Sequence, residues 1–290
     1  MIATTILGER GIAVAATGAA ISTAALVLLA SSLGGRRATQ MRLFRRMATN
    51  LEATRGPDPR VWLVAHIDSK SQPVSTAVRT LGVVLFAAGV FGLAARAALV
   101  PSGRWPALPA TIVACAVIGG GILSCCVVGS KSAGAADNGS GVAAVLEATA
   151  AVRRGTSFGV LITDAEELAL AGARAWVDGR GAGIAINCDT IDDDGRLVVM
   201  RYGASGDLAR RALIAARAEE SRAMIIPPLP GVLTDSEAFE AAKWRTVTLS
   251  RGNLRTLNRI HTVRDNLHVL RGTGIPAAAR VLARLVEELA

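Results

Sequence analysis

Aromatic residues are scarce in this chain of 290 residues, at 3% of the sequence, and only 19% of the residues are charged. Surfaces that bind nucleic acid usually interleave basic and aromatic side chains, so we expect no nucleic-acid partner despite the net charge of +9. The four cysteines follow no spacing typical of a disulfide framework or of a cysteine-based metal site. Hydrophobic residues make up 51%, which excludes intrinsic disorder and exceeds what an ordinary soluble domain needs.

The apolar excess is concentrated in three long runs. Residues 12–33 and 106–130 contain no charged residue, and residues 81–100 contain only Arg96. Each run is about 20 residues or longer, which lets a helix cross a hydrocarbon core of about 30 Å. We therefore predict three transmembrane helices, one anchor and one hairpin. Two alternatives stay open: a cleaved signal peptide for the first run, and buried helices of a soluble domain for all three.

Basic residues follow the first apolar run closely. Seven arginines lie between residues 36 and 60, whereas the short N-terminal flank carries only Glu9 and Arg10. By the positive-inside rule, this distribution places residues 36–60 in the cytoplasm. Because a hairpin returns the chain to the side that it left, we expect an integral protein of the cell membrane whose remaining domain faces the cytoplasm.

Short apolar segments alternate with helical patterns in the rest of the chain. Strands are predicted at residues 60–65, 158–162, 182–187, 197–200 and 246–249. This alternation predicts an α/β fold with a mostly parallel sheet and helices on both faces.

The predicted organisation has four parts. A transmembrane anchor (1–35) and a basic linker (36–60) precede one α/β domain (61–76 and 130–290). A transmembrane hairpin (77–129) interrupts that domain.

Acids and histidines recur where the predicted strands end. They are His66, Asp68, Asp137, Glu166, Glu167, Asp189 and His261. The carboxyl ends of the strands in an open α/β sheet meet at one crevice, so we expect these side chains to converge. Imidazole and carboxylate groups are typical ligands of zinc. Each residue alone could equally be a helix cap, a solvated acid or a structural histidine.

Five short segments occur in a distinctive order: HIDS from His66, GAADNGSG around Asp137, DAEELALAG around Glu166, NCD ending at Asp189, and IHT around His261. Together they resemble the co-catalytic zinc aminopeptidase family, which includes bacterial leucyl aminopeptidases and glutamate carboxypeptidase relatives.

The resemblance implies two zinc ions per chain, held by His66, Asp137, Glu167, Asp189 and His261. Asp137 would bridge the two ions, and each histidine would bind one of them. Glu166 would be the general base, and Asp68 would fix the imidazole of His66. The implied function is a membrane-anchored zinc metallopeptidase, most simply an aminopeptidase acting on a peptide substrate at the bilayer.

The chain departs from the family pattern in two places. Ser236 replaces a histidine in the segment 233–239, and no tyrosine lies near His261, the only tyrosine being Tyr202. Stabilisation of the oxyanion therefore has no assigned residue, and His268, Asp235 and residues 192–194 are expected to be surface or supporting groups. A single-zinc amidohydrolase, a glutaminyl cyclase and a non-catalytic binding module remain alternatives.

Overall fold

A seven-stranded sheet organises the residues that the computed structural model describes, which are 47–99 and 109–290. The strands are β1 (Leu51–Arg55), β2 (Val61–His66), β3 (Phe158–Thr163), β4 (Ile184–Ile191), β5 (Arg196–Arg201), β6 (Met224–Ile226) and β7 (Arg245–Gly252). Their order across the sheet is β1-β3-β2-β4-β7-β5-β6. The four central strands, β3, β2, β4 and β7, are parallel. Strand β1 pairs antiparallel with β3, and β5 pairs antiparallel with β7 and parallel with β6.

Helices cover both faces of the sheet, as the sequence predicts. They are α1 (Thr76–Leu99), α2 (Ala110–Ser124), α3 (Ser140–Ala151), α4 (Ala171–Val177), α5 (Gly206–Glu219), α6 (Asp235–Ala241), α7 (Leu254–Arg259) and α8 (Ile275–Leu289). Alternate residues of β2 enter different cores. Leu63 belongs to the core that also contains side chains of α3, α5 and α8, and Trp62 belongs to the core formed with α4 and α6. Because successive side chains of a strand point to opposite faces, a strand covered on both sides reads as a continuous apolar run.

Strand β1 lies inside the segment that the sequence predicts as a basic linker, so residues 51–55 belong to the sheet. The strand escapes detection because Glu52 and Arg55 break its apolar pattern. Glu52 accepts a hydrogen bond from the indole N–H of Trp176 at 2.7 Å and pairs with Arg180. A polar edge strand is common because its outer side faces water. The predicted anchor and the remainder of the linker, up to residue 46, lie outside the described residues.

The apolar helices α1 and α2 form a hairpin inserted between β2 and α3. The segments that enter and leave the hairpin pair at its base, where Ser71 and Gly129 exchange backbone hydrogen bonds of 2.8 and 2.7 Å. The helices pack closely through small residues. A Cβ atom built on Gly119 would lie 2.4 Å from the backbone nitrogen of Phe86, so only glycine allows this approach.

One helix of the described residues is long and apolar enough to cross a membrane. It spans residues 76–96 and has a mean hydropathy of 1.9, and only 11% of its most apolar stretch is buried against the rest of the protein. Helix α2 has 15 residues, which is shorter than the roughly 20 needed to span a bilayer. Of the three predicted transmembrane helices, the described residues therefore support one. The first apolar run and the connector at residues 101–105 lie outside the described residues.

Gly119 provides a test of the hairpin packing. We expect Gly119→Ala to lower the free energy of unfolding by about 1–3 kcal/mol, because the added methyl group overlaps helix α1. Gly121→Ala is the matched control, since a Cβ built there meets nothing within 4 Å and alanine favours the helix. Thermal unfolding of the full chain in detergent measures both, and equal melting temperatures would contradict the close packing.

Candidate metal centre

The predicted site residues converge at the carboxyl ends of the parallel strands. His66 is the last residue of β2, and Glu166 and Glu167 lie in the turn that follows β3. Asp137 lies in a turn, Ala135–Gly139, that leads into α3 and whose backbone is not helical at Asp137 and Asn138. His261 follows α7. The structure thus brings all seven residues named from the sequence into one cleft or directly behind it, and most of them are buried.

Asp137 lies between the two imidazoles. Its Oδ1 is 3.2 Å from Nε2 of His66, and its Oδ2 is 2.8 Å from Nε2 of His261. Asp189 Oδ1 is 3.8 Å from Nε2 of His66, and Glu167 Oε1 is 2.9 Å from Nε2 of His261. The donors therefore form two groups, each containing one imidazole, that share the carboxylate of Asp137.

A β-bulge aims Asp189 into the cleft. The register between β4 and β7 shifts between Cys188 and Ile191, which takes Asp189 and Thr190 out of the regular ladder. Asn138 ties this bulge to the turn of Asp137, because its side chain donates to the carbonyl of Cys188 at 2.9 Å and accepts from the backbone N–H of Thr190 at 3.0 Å. These bonds hold the carboxylates of Asp137 and Asp189 on the same side of the cleft.

The backbone is in the left-handed region at or beside three site residues. The φ angles are 56° at Ala165, 59° at Thr190 and 61° at His261. A residue other than glycine in this region costs about 1–3 kcal/mol and persists where its surroundings hold it. Such residues cluster at functional sites, which agrees with their position here.

Hydrogen bonding fixes which nitrogen of His66 faces the cleft. Nδ1 lies 2.9 Å from the backbone carbonyl of Asp68, and because a carbonyl only accepts, Nδ1 carries the hydrogen and donates it. In the neutral imidazole, Nε2 then presents its lone pair to the carboxylates of Asp137 and Asp189. This arrangement is repulsive unless Nε2 is protonated or a metal cation lies between the groups.

The electrostatics of the cleft also call for positive charge. Burial alone would lower the pKa of His261, but Asp137 and Glu167 outweigh burial and raise that pKa to about 9. Glu167 Oε1 is buried against Nε2 of His261, 2.9 Å away. Imidazole nitrogens and carboxylate oxygens are the donors that zinc prefers, so these residues fit a zinc centre.

Glu166 is a buried carboxyl at the edge of this cluster. Burial raises its pKa well above the usual value; His66 opposes the rise, whereas repulsion from Glu167 and Asp189 adds to it. An acid with a raised pKa is suited to exchange protons near neutral pH. Glu166 also lies close enough to His66 and Asp189 to be a third ligand of that group, so its position alone allows both roles.

Asp68 acts differently from the sequence-based expectation. Its carboxylate was expected to accept the imidazole N–H of His66, but Oδ1 lies 3.6 Å from Nδ1 and the backbone carbonyl takes that bond. The carboxylate instead accepts the backbone N–H groups of Glu166 and Glu167, each at 3.0 Å. Asp68 therefore links the histidine of β2 to the two glutamates after β3.

Two supporting residues escaped the sequence-based reasoning. Asp265 is fully buried and accepts the backbone N–H groups of Ala136 and Asp137, at 2.8 and 3.1 Å. Thr76, in the first turn of α1, places its hydroxyl oxygen 3.0 Å from Nδ1 of His261. An acid four residues after a candidate metal-binding histidine is a usable signal for Asp265, whereas no local pattern identifies Thr76.

The residues that the sequence assigns to surface or supporting roles differ in their burial. His268 and Asp194 are exposed, but Asp192 is buried and pairs with Arg259 at 2.7 Å. Asp235 is fully buried below the site, where burial raises its pKa to about 6 and its Oδ2 accepts the hydroxyl of Thr163 at 2.5 Å.

The two departures from the family pattern are also buried. Ser236 hydrogen-bonds the hydroxyls of Thr246 and Thr248, each at 2.8 Å. The hydroxyl of Tyr202 lies 2.8 Å from that of Thr234, and Tyr202 does not line the cleft.

An apolar pocket opens beside the metal cleft. It shares Asp189, Thr190, Val232 and Ile260 with the cleft, and it extends over Val198, Met200, Ile226, Leu229 and Leu257. The pocket and the open solvent at its mouth together occupy about 640 Å³. A ligand bound in the cleft beside Asp189 can therefore place an apolar side chain in this pocket.

The carboxylate of Asp68 provides a test of how the site is held. We expect Asp68→Asn to weaken zinc binding about 10- to 100-fold, because the amide NH2 that replaces one of the two accepting oxygens cannot accept a backbone N–H. Asp194→Asn, a change at an exposed acid, is the control. Competition with a chelating dye measures the affinity, and unchanged binding in Asp68→Asn would contradict the bracing role.

Solved structures with this fold include three bacterial enzymes. A zinc aminopeptidase from Bacillus subtilis is 18% identical, with a TM-score of 0.53 over 82% of this chain and 49% of its own. An aminopeptidase from Aneurinibacillus sp. strain AM-1 is 15% identical, with a TM-score of 0.55 over 83% and 48%. A glutaminyl cyclase from Bacteroides thetaiotaomicron is 16% identical, with a TM-score of 0.54 over 83% and 77%.

The chain spans about half the length of these aminopeptidases, and identities this low establish the fold alone. No curated relative matches the chain by sequence. The profile of peptidase family M28, in contrast, matches residues 47–286, which is most of the chain. The resemblance to metal-dependent peptidases is therefore confirmed at the level of the family: the chain belongs to peptidase family M28.

Proposed function

We propose that the protein is a membrane-anchored zinc metallopeptidase of the aminopeptidase type, with two zinc ions per chain. The observation that carries this proposal is the carboxylate of Asp137 between two imidazoles, each accompanied by a further carboxylate. Two such groups that share one carboxylate match the arrangement of co-catalytic metal sites. His66 and Asp189 would hold one ion, and Glu167 and His261 the other.

Bound zinc would supply Lewis acidity toward a water molecule and toward the carbonyl of the scissile bond. The protein's own residues move the proton and hold the ligands. Glu166 would take a proton from the attacking water and deliver it to the leaving amine, which its raised pKa suits. Asp68 and Asp265 hold the backbone of the turns that carry Glu166 and Asp137.

The apolar pocket supports a preference for substrates with an apolar first residue. Its accessible lining is mostly apolar, and it meets the metal cleft at Asp189 and Thr190. A leucine-sized side chain buried there would gain about 1.5–3 kcal/mol. A free peptide N-terminus beside Asp189 would satisfy that carboxylate.

A glutaminyl cyclase with one zinc ion is the second candidate, because such an enzyme shares the fold to the same degree as the aminopeptidases. Lys70 adds a second reason: its ammonium group contacts Oε2 of Glu167, which places a cation against one of the two donor groups. A non-catalytic binding module is the third candidate. The presence of Glu166, a buried carboxyl beside the donor group of His66 and Asp189, argues against that module, because a site that only binds has no need of a proton acceptor.

Glu166 separates the candidate functions. We expect zinc-loaded wild-type protein to release leucine from leucine p-nitroanilide and to lose this activity with a chelator. Glu166→Gln should lower kcat at least 100-fold, since it removes the proton acceptor.

Elemental analysis completes this test. Glu166→Gln should retain two zinc ions per chain, whereas loss of one ion would make Glu166 a ligand instead. A single ion in the wild type, or full activity in the variant, would contradict the proposal.

Membrane anchoring is supported by the surface of the hairpin. The side chains of Phe91 and Val117 are 74% and 67% exposed, and α1 alone is long enough to span a bilayer. Soluble domains rarely expose an apolar surface of this kind. The arginines of residues 36–60 support a cytoplasmic position for the peptidase domain.

Fractionation tests the anchoring. We expect the full chain to stay with membranes after washing at high salt and high pH and to be released by detergent. A reporter fused after Ala290 should be active only on the cytoplasmic side. Release by the wash alone would exclude a spanning anchor, and a reporter active on the outer side would reverse the orientation.

A further inference from the structure

Arg79, on the hairpin, reaches the metal cleft. It lines the cleft together with His66, Asp137 and Glu167. It lies one helical turn after Thr76, whose hydroxyl contacts His261, so both residues occupy the same face of α1. The first turns of the candidate membrane helix therefore form one wall of the cleft.

The charge of Arg79 has no anionic partner within the described residues. Its Nη1 donates to the neutral amide oxygen of Gln72 at 2.9 Å, and its Nε is buried without a hydrogen-bond partner. No carboxylate in residues 47–99 or 109–290 lies within ion-pair distance of it. Lys70, another cation that lines the cleft, is paired with Glu167. A partly buried guanidinium that lines a cleft, and whose charge no carboxylate of the described residues balances, is suited to bind an anion that enters the cleft.

The layout of the cleft indicates which anion fits. The apolar pocket meets the cleft at Asp189, whereas Arg79 enters through the wall that holds His261. A peptide whose first side chain fills the pocket would extend across the metal ligands toward Arg79. Guanidinium binds carboxylate through two parallel hydrogen bonds, so a carboxylate shortly after the scissile bond matches this position.

We propose that Arg79 binds the C-terminal carboxylate of a short peptide, which makes the protein selective for dipeptides with an apolar first residue. This inference rests on the proposed peptidase function. Arg79 is a specificity-determining residue in this account, and the hairpin supplies a substrate contact as well as an anchor.

A lipid phosphate is the competing anion, because α1 is the candidate membrane helix. Long basic side chains near a helix end commonly reach the headgroups. Arg79 is instead half-buried, and it faces the cleft that contains the metal ligands. The experiment below separates the two anions.

The experiment compares Leu-Gly with Leu-Gly amide, which differ only in the terminal carboxylate, using zinc-loaded full-length protein in detergent. We expect the wild type to prefer Leu-Gly roughly 10- to 100-fold in kcat/KM, as hydrogen bonds to a charged group allow. Arg79→Gln should abolish the preference, chiefly through KM for Leu-Gly, and Arg79→Lys should retain part of it. Arg210→Gln, at an exposed arginine on α5, is the matched control and should keep the full preference.

A second measurement does not depend on turnover. The reduced-bond analogue of Leu-Gly cannot be hydrolysed, so calorimetry with this analogue and its terminal amide reports binding alone. If neither peptide is hydrolysed but the wild type binds the carboxylate form more tightly and Arg79→Gln does not, the proposed peptidase function fails, whereas the assignment of Arg79 to the peptide carboxylate holds. Zinc content and thermal unfolding of each variant show that it is folded.

Three results would overturn the inference. The first is the absence of any carboxylate preference in the wild type, and the second is a preference that Arg79→Gln keeps. The third is that Arg79→Gln leaves both peptides unaffected and weakens binding to vesicles of phosphatidylglycerol, which would assign the guanidinium to lipid.

Discussion

The carboxylate of Asp137 lies between two imidazoles, at 3.2 Å from His66 and 2.8 Å from His261, and this contact governs the rest of the cleft. It brings together groups that repel one another unless positive charge is present. Protons supply that charge in part, which is why the pKa of His261 is raised to about 9. Zinc supplies it better, because a divalent ion can accept lone pairs from both imidazole and carboxylate.

The hairpin follows from the same geometry. The chain leaves the sheet directly after His66 and returns just before Asp137, so the base of the hairpin lies against the metal ligands. Thr76 contacts His261, and the backbone N–H of Gln72 donates to the carbonyl of His261 at 2.8 Å. An insertion at this point contributes to the site itself, because its first helix carries Thr76 and Arg79 into the wall of the cleft.

The sequence predicted the parts that local patterns encode. Buried strands read as apolar runs, and the acids and histidines at their ends identified six residues that line the cleft and Asp68 directly behind it. Contacts between distant segments were not predictable, because no local pattern specifies the partner of Asp68, Asp265 or Thr76. Strand β1 was missed for a related reason, since Glu52 is explained only by Trp176 and Arg180, more than 120 residues away.

The central claim is that Asp137 is shared by two metal ions. The most direct measurement is an anomalous difference map, collected at the zinc absorption edge from crystals of the zinc-loaded protein. The account predicts two peaks about 3.5–4 Å apart, one beside His66 and Asp189 and the other beside Glu167 and His261. A single peak, or no peak within reach of Asp137, would contradict it.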